Sequence, residues 1–320
     1  MAIAQYKLGE KVATRDGYGD ALLGLGEKHE DIVAIDADLA KSTKSIVFGK
    51  KFPDRFKYVG ISEADMVSMA AGLALSGKVP FASSFACFVV NRGLDQLRIS
   101  VAYSKTNVKI VGSHGGILTG EDGPTGQEIM DLAIMRSMPN FTVICPADYY
   151  ETVAATYAMY ENAGPFYMRT CREKTAIFYE GVPEMKIGKA VVLAQGADGA
   201  IIATGGLVEQ AMKAQEILKG KGLSVSVLNV PFLSPFDSKA VGEECRKGAV
   251  VSAEDGTVNG LGSAVAEVIA EKGIDCRLAR VGLRGSFAES GKPAELLEKY
   301  RMNADAIAQE LLKVKGEDRI

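Results

Sequence analysis

The order of apolar and polar positions predicts an α/β protein in which strands and helices alternate. Residues 10–29 repeat apolar side chains at helical spacing, and residues 31–38 are typical of a short buried strand that ends in carboxylates. The polar stretch ADLAKSTKS after it predicts a loop. Helices then separate further predicted strands, which are RFKYVGIS, VPFASSF, NVKIVGS, FTVICPA and FYMRT. Such alternation favours a mostly parallel sheet that helices cover on both faces.

A second group of alternating elements follows a break in this pattern. Residues 172–188 show no clear periodicity, and strands and helices then alternate again, including one predicted strand over LSVSVLNVPFLSP. A chain of 320 residues is also long enough for two domains. We therefore predict a first domain over residues 1–172, a linker over 173–188 and a smaller α/β domain over 189–320.

Composition narrows the classes of function. A formal net charge of −3 gives no electrostatic reason to expect nucleic acid or an anionic membrane as a partner. The five cysteines are widely spaced without a CxxC pair, and with two histidines they form no zinc site by spacing, so reduced and mostly buried thiols are expected. The N-terminus has no long apolar signal region and no run approaches a membrane span, which predicts a cytoplasmic protein.

The segment from Gly112 to Gln127, GSHGGILTGEDGPTGQ, concentrates candidate chemistry in a short loop. It contains six glycines together with His114, Glu121 and Asp122. A predicted strand precedes it and a helix is predicted near 127–137, which is where α/β folds usually place ligand sites. Glycine lets the backbone approach a ligand closely, and the polar side chains supply contacts. The alternative is a glycine-rich surface turn.

Other candidate residues stand at the ends of predicted elements. Glu63 follows Ser62, a good N-cap, at the start of a helix, so it is either a helix-terminal charge or a buried carboxyl that shares a proton with a ligand nitrogen. Phe85 and Phe88 are three residues apart and form either core or a platform for a flat ring. A further four residues are each more often structural, but together they would form a phosphate site. These four are Arg15, Ser42, His114 and Arg172.

Five motifs in register resemble the C-terminal half of transketolase. They are ISEADMVSMAAGLAL, VPFASSFACF, GSHGGILTGEDGPTGQ, LAIMRSMPN and YMRTCRE. The resemblance runs in order over essentially all 320 residues, to SGKPAELLEKY and DAIAQEL near the end. It implies a pyrimidine-binding domain for thiamine diphosphate followed by a transketolase C-terminal domain. It also implies transfer of a two-carbon ketol unit between ketose and aldose phosphates in the pentose phosphate pathway, with thiamine diphosphate and Mg²⁺.

The resemblance assigns an expected role to each candidate. Glu63 matches the glutamate on the pyrimidine N1′, where a carboxyl promotes activation of the cofactor. Phe88 matches the ring that stacks on the pyrimidine, with Phe85 beside it, and Asp38 matches an acidic residue near the thiamine at the subunit boundary. Asp122 matches the aspartate that holds a donor hydroxyl. The four-residue phosphate site matches the clamp on the substrate's terminal phosphate, whose binding energy positions the reacting carbonyl.

Two positions and one region depart from the family's pattern. Gly126 stands where some transketolases have a histidine, and Asn91 replaces a third aromatic residue of the pyrimidine pocket. The GDG…N motif and the histidines that hold diphosphate and Mg²⁺ in this family are not found in the sequence, so no metal ligands are assigned.

Because the chain begins with Met1 just before the matching region, we expect a separate subunit. An N-terminal partner would carry the diphosphate and Mg²⁺ site, with two copies of each chain.

Alternative functions remain open at this point. A 1-deoxyxylulose-5-phosphate synthase or a 2-oxo acid dehydrogenase beta subunit shares the domain pair, although GSH…GEDGP and TCRE favour transketolase. A different class is a regulatory homologue that assembles but has no activity. The intact residues Glu63, Phe88 and Asp122 argue against that class. The preferred donor and acceptor sugars do not follow from the sequence.

Overall fold

The structure is a computed structural model that describes residues 3–316. These residues form two compact units. The first extends to Gly115 and includes residues 134–185, and the second comprises residues 116–133 and those from Lys186 onward. The chain therefore enters the second unit inside the glycine-rich loop. The domain limits of 1–172 and 189–320 remain a prediction.

The first unit is built on a parallel sheet. Its strands are β1 (Lys11–Ala13), β2 (Ile32–Asp36), β3 (Phe56–Tyr58), β4 (Val79–Phe85), β5 (Lys109–Ser113), β6 (Thr142–Ile144), β7 (Phe166–Thr170) and β8 (Lys174–Ala176). Strands β2 to β7 are all parallel and lie in the order β6-β7-β5-β4-β2-β3. Strands β2, β5 and β7 are buried along their whole length, as expected where helices cover both faces. Strands β1 and β8 pair antiparallel apart from this sheet, and β8 falls inside the segment predicted to be a linker.

Helices connect these strands. They are α1 (Thr14–Lys28), α2 (Ala40–Thr43), α3 (Ile46–Lys51), α4 (Glu63–Leu75), α5 (Ala86–Arg92), α6 (Leu94–Gln96), α7 (Asp131–Ser137) and α8 (Tyr149–Glu161). A 3₁₀ turn covers Pro53–Arg55, and a π-helical segment, Leu97–Tyr103, continues α6. Residues 11–13 form β1, so the predicted first helix begins later than expected. The helix predicted near 127–137 likewise begins only at Asp131.

The predicted polar loop after β2 is wrong, because α2 begins inside it and α3 follows directly. The buried carboxylate of Asp36 organises this region by accepting hydrogen bonds from the Leu39 backbone N–H and the Thr43 hydroxyl, both 2.7 Å away. It also accepts a bond from the Ser45 hydroxyl at 2.8 Å. Burial raises the pKa of Asp36 to about 6, although these hydrogen bonds oppose the shift. Helices of four and six residues are too short to show an apolar repeat, so the sequence pattern did not reveal them.

The second unit contains a separate, mostly parallel sheet. The strands of this unit are β9 (Val191–Ala194), β10 (Ala200–Ala203), β11 (Ser226–Asn229), β12 (Phe232–Ser234), β13 (Ala249–Thr257) and β14 (Arg277–Leu283). Five of them form the order β14-β13-β10-β11-β9, in which β9 alone runs antiparallel to its neighbour. The helices are α9 (Leu207–Gly220), α10 (Ser238–Cys245), α11 (Leu261–Glu271), α12 (Pro293–Lys299) and α13 (Ala304–Lys315).

The prediction of an α/β protein with mostly parallel sheets under helices is confirmed in both units. The single strand predicted over LSVSVLNVPFLSP is instead two strands, β11 and β12. Pro231 lies between them and has no N–H to donate, so it cannot continue a strand's hydrogen bonding. Over residues 3–316, no helix has both the length and the apolar character needed to cross a bilayer.

Candidate active site

Glu63 is the first residue of α4, and its carboxylate is buried, with 3% of the residue exposed. Ser62 occupies the N-cap position, but its side chain makes no capping hydrogen bond. The Ser84 hydroxyl donates to one carboxylate oxygen at 3.5 Å, and the Arg92 guanidinium donates to both oxygens at 3.3 Å. Glu63 is therefore an enclosed carboxylate with its own partners rather than a solvated charge at a helix end.

A row of flat side chains lies beside this carboxylate. The His114 and Phe85 rings are stacked, with centroids 3.8 Å apart and planes 23° apart. The Phe85 and Phe88 rings are also stacked, with centroids 5.7 Å apart and planes 16° apart. The Arg92 guanidinium carbon lies 4.2 Å from the Phe88 centroid, a cation–π contact. The row reaches Glu63 through Arg92, which pairs with its carboxylate.

The turn from β4 into α5 creates this arrangement. Strand β4 ends at Phe85 and α5 begins at the next residue, so the first phenylalanine closes the strand and Phe88 lies in the first turn of the helix. Arg92 is four residues after Phe88, a spacing that places two side chains on one face of a helix. Arg92 was not among the residues predicted from the sequence, although its spacing from Phe88 inside FACFVVNR could have indicated it.

The four residues predicted to bind phosphate come together in the first unit. The Arg15 guanidinium donates to the Ser42 backbone carbonyl at 3.2 Å and lies 3.4 Å from Nε2 of His114. The Ser113 hydroxyl is 2.9 Å from Nδ1 of His114, so both ring nitrogens have polar neighbours. The charge of Arg172 also acts on the His114 ring. The Arg15 guanidinium therefore contacts the imidazole and the positive charge of Arg172 reaches it, a combination suited to an anion.

His114 is held neutral by its surroundings. Burial, followed by the charges of Arg15 and Arg172, lowers the pKa of His114 to about 3. A neutral imidazole offers one donor and one acceptor, so the ring can contact an anion without carrying charge itself. The backbone of His114 adopts a left-handed conformation with φ of 62°, which turns the chain sharply after β5.

The variant His114→Asn is expected to lose less stability in acid than the wild type. Because the folded-state pKa is about 3 and the ordinary value is 6.5, the unfolded state binds the additional proton between these limits. The wild type therefore loses up to about 1.4 kcal/mol per pH unit as the pH falls through this window. Asparagine tolerates the left-handed backbone, which limits other losses.

Urea unfolding of both proteins at about pH 7.5 and about pH 4.5 measures this difference in free energy. His29→Asn is the matched control, because His29 is the other histidine of the chain. An equal acid loss in the wild type and in His114→Asn would show that His114 is not the group that titrates.

Asp38 and the Tyr58 hydroxyl form a separate pair at the surface of the first unit. The hydroxyl donates to a carboxylate oxygen of Asp38 at 2.6 Å. This hydrogen bond is the main cause that raises the pKa of Tyr58 to about 12. Asp38 is two residues after the buried Asp36, and it is itself exposed, with a left-handed φ of 67°. The role of Asp38 near the thiamine at a subunit boundary remains a prediction.

Asp122 belongs to the second unit, where it is exposed at the end of the 3₁₀ segment Ile117–Asp122. A Cβ atom added to Gly126 would lie 2.9 Å from the Asp122 Cβ, closer than real Cβ contacts allow. The histidine that some family members have at this position would therefore require a different loop. Gly116 is constrained further, since it has φ of 76° and an added Cβ would lie 1.9 Å from an Asp255 carboxylate oxygen.

The glycine-rich loop is tied to the second unit by side-chain bonds, so it is more than a free surface turn. The Gln127 amide nitrogen donates to the Gly120 carbonyl at 2.9 Å and to the Glu289 carbonyl at 3.0 Å. The Ser290 hydroxyl donates to the Glu121 carbonyl at 2.6 Å. These bonds determine the backbone course around Asp122 within this unit.

Two family models match this chain. The one described as Transketolase, pyrimidine binding domain matches residues 10–176, and the one described as Transketolase, C-terminal domain matches residues 188–307. The chain belongs to the transketolase family. The resemblance found in the five motifs is thereby confirmed, together with the expected pair of domain types.

Several members of the transketolase family match this chain over more than nine tenths of its length. A protein of Methanocaldococcus jannaschii, provisionally named a transketolase C-terminal section, is 44% identical over 93% of this chain and 95% of its own length. A 6-deoxy-6-sulfo-D-fructose transketolase subunit of Clostridium sp. is 41% identical over 92% of each chain. A solved structure of a split-gene transketolase, described as an inactive β4 tetramer, matches with a TM-score of 0.89 and 40% identity. That match covers 96% of this chain and 100% of the other.

The first unit of this transketolase-family chain suits one part of thiamine diphosphate. A buried carboxylate beside stacked phenyl rings has the donor set and shape for a flat aminopyrimidine, through Glu63, Phe85 and Phe88. The diphosphate end of the cofactor, which carries the metal ion, requires other groups. Within residues 3–316, no group of three or more His, Cys, Asp or Glu side chains is arranged to hold a metal ion. Glu63, Phe85 and Phe88 therefore fit the pyrimidine end of the cofactor.

Proposed function

We propose that this chain is the pyrimidine-binding subunit of a two-chain transketolase. It would move a two-carbon ketol unit between a ketose phosphate and an aldose phosphate (EC 2.2.1.1) in the pentose phosphate pathway of the cytoplasm, with thiamine diphosphate and Mg²⁺. The observation that carries the proposal is the continuous set of contacts from the Glu63 carboxylate to the Arg15 guanidinium. A site for a flat ring and a site for an anion thus adjoin in one unit.

The roles proposed for Glu63, Phe85 and Phe88 are supported by these contacts, and the role proposed for Asp38 rests on the motif resemblance alone. Thiamine diphosphate, when bound, would supply the carbon nucleophile for ketol transfer. Glu63 would hold a proton at the pyrimidine nitrogen, and Phe85 and Phe88 would orient the ring by stacking. Asp38 would stand near the cofactor at a subunit boundary. Because Arg92 pairs with the Glu63 carboxylate, a pyrimidine nitrogen would share this carboxylate with the guanidinium or displace it.

The substrate would be held through its terminal phosphate. Arg15 and Arg172 supply the positive charge around the neutral His114 ring, and Ser42 lies on the loop that Arg15 anchors. A remote phosphate clamp positions the reacting carbonyl because its binding energy restricts the substrate's motion. Asp122 would hold a donor hydroxyl, an assignment that depends on the GEDGP motif.

An N-terminal transketolase subunit is the proposed partner, in an assembly of two copies of each chain. It would supply the ligands for diphosphate and Mg²⁺. Support comes from the M. jannaschii relative, which is named a C-terminal section, and from the Clostridium relative, which is named a subunit. The split-gene structure described as an inactive β4 tetramer is consistent with a chain of this kind being inactive without a partner.

The decisive experiment is a transketolase assay with xylulose 5-phosphate, ribose 5-phosphate, thiamine diphosphate and Mg²⁺. The purified chain is measured alone and after mixing with the N-terminal transketolase subunit from the same source. We expect ketol transfer only in the mixture. Activity of the chain alone would overturn the proposed partner, and a stable complex without activity would favour the regulatory alternative.

A second donor deserves comparison because of the Clostridium relative. Its name specifies 6-deoxy-6-sulfo-D-fructose, which carries a sulfonate, and an anion site of two arginines can bind either group. The same mixture assayed with both donors measures their ratio of kcat/KM. A ratio in favour of the sulfonated sugar would replace the pentose phosphate assignment and would leave the ketol transfer itself in place.

A further inference from the structure

Asp36 is the last residue of β2, and its side chain is completely buried. One carboxylate oxygen accepts from the Leu39 N–H at 2.7 Å, at the N-cap position of α2. The other accepts from the hydroxyl of Thr43, the last residue of α2, at 2.7 Å and from the Ser45 hydroxyl at 2.8 Å. The carboxylate therefore binds both ends of the short helix that carries Ser42.

Helix α2 depends on these bonds for its conformation. It has four residues, and a helix of this length is not stable by itself in water. Hydrogen bonds to a charged acceptor are stronger than bonds between neutral groups. They also satisfy a carboxylate that would otherwise be costly to bury. The position of Ser42 is therefore set by the Asp36 carboxylate more than by the helix itself.

Three contacts join α2 to the start of α1. The Arg15 guanidinium donates to the Ser42 carbonyl at 3.2 Å. The ammonium of Lys44, the C-cap residue of α2, pairs with an Asp16 carboxylate oxygen at 3.0 Å. A Cβ atom added to Gly19 would lie 2.7 Å from the Lys44 Cβ, so the two segments approach too closely for a larger residue. Helix α2 thus lies against the part of α1 that presents Arg15.

We propose that Asp36 is a positioning residue for the substrate's phosphate: its carboxylate fixes α2, and the Ser42 carbonyl on α2 fixes the direction of the Arg15 guanidinium. Asp36 is completely buried, so it acts through these groups and does not touch the substrate itself. A guanidinium recognises an oxyanion through the direction of its N–H groups, so its orientation determines its affinity. The inference rests on the proposed phosphate clamp and adds a residue that supports it.

Thr43→Val in the assembled two-chain enzyme tests this role. Valine has nearly the shape of threonine but has no hydroxyl to donate to Asp36. We expect kcat/KM for xylulose 5-phosphate to fall by about tenfold, mainly through a higher KM, because small displacements of positioning groups are costly. The value for xylulose, which lacks the phosphate, should change by less than about twofold. Thr43→Ser keeps the hydroxyl and should restore the ratio between the two donors.

The matched control is Thr156→Val in α8. Thr156 is also completely buried, and its hydroxyl donates to the Thr152 carbonyl at 2.8 Å, so the same chemical change is made without removing a bond to Asp36. Its donor ratio should equal that of the wild type. Asp36→Asn is the second test variant, since an amide NH₂ replaces one accepting oxygen, and its donor ratio should change in the same direction as that of Thr43→Val.

The comparison with Arg15→Gln separates the two possible failures. If Arg15→Gln changes the donor ratio while Thr43→Val and Asp36→Asn do not, the role of Asp36 is overturned and the phosphate clamp stands. Equal losses with both donors in the two variants would likewise overturn it, because Asp36 would then serve only the folding of the unit. If Arg15→Gln leaves the ratio unchanged, the clamp itself is wrong and the role of Asp36 fails with it.

Discussion

Glu63→Gln is expected to lower kcat/KM of the assembled two-chain enzyme by about 10²–10⁴-fold. Glutamine keeps the size of the side chain but cannot exchange a proton with a pyrimidine nitrogen. The effect should be large because the carboxylate is 3% exposed, so water cannot easily take its place. The measurement is the steady-state rate of ketol transfer with saturating thiamine diphosphate, made on the purified complex with its N-terminal partner.

The matched control for Glu63→Gln is Asp65→Asn. Asp65 is in the same first turn of α4 but is exposed, so the change removes a similar charge near the helix end without altering the enclosed carboxylate. We expect this variant to retain activity within about twofold, as is usual for a surface change. A Glu63→Gln complex that keeps full activity would refute the proposed role of Glu63. Equal losses in both variants would point instead to the helix terminus.

Arg15→Gln is expected to lower kcat/KM for xylulose 5-phosphate by about 10–100-fold, mainly by raising KM. Hydrogen bonds to charged groups contribute about 1.5–3 kcal/mol, and glutamine supplies a shorter, neutral donor. The rate with xylulose, which lacks the phosphate, should change by less than about threefold. The measured quantity is the ratio of kcat/KM between the two donors, which a general loss of folded protein does not alter.

The control for Arg15→Gln is Arg98→Gln in the π-helical segment. Arg98 is exposed and pairs with Asp95 at 2.9 Å, so the change removes a surface arginine away from the His114 cluster. Its donor ratio should equal that of the wild type. If Arg15→Gln reduces activity equally with both donors, the guanidinium acts by supporting the Ser42 loop and His114, and the phosphate clamp is wrong.

Local patterns in the sequence were sufficient for the architecture and for the family. Buried parallel strands are continuous apolar runs, and helices repeat apolar residues every three or four positions. Most elements could therefore be placed from the sequence alone. The helices that the pattern did not predict are short. Helices α2 and α3 depend on the hydrogen bonds that Thr43 and Ser45 make to Asp36, and no periodicity records such bonds.

The candidate residues were also identified from motifs, but their surroundings were not. Arg15 and His114 are 99 residues apart in sequence, and only folding places their side chains 3.4 Å from each other. The low pKa of His114 follows from burial and two distant arginines, none of which is a local property. Arg92 was missed because its importance arises from its contacts with Glu63 and Phe88.

The sequence by itself therefore determined the class of fold, the family and the identity of the residues proposed for cofactor and substrate. Only the tertiary structure decided that Glu63 is enclosed and paired with Arg92, that His114 is neutral, and that Asp122 is held within the second unit. The reason is physical. Secondary structure and motifs depend on neighbours along the chain, whereas burial, ion pairing and pKa depend on neighbours in space.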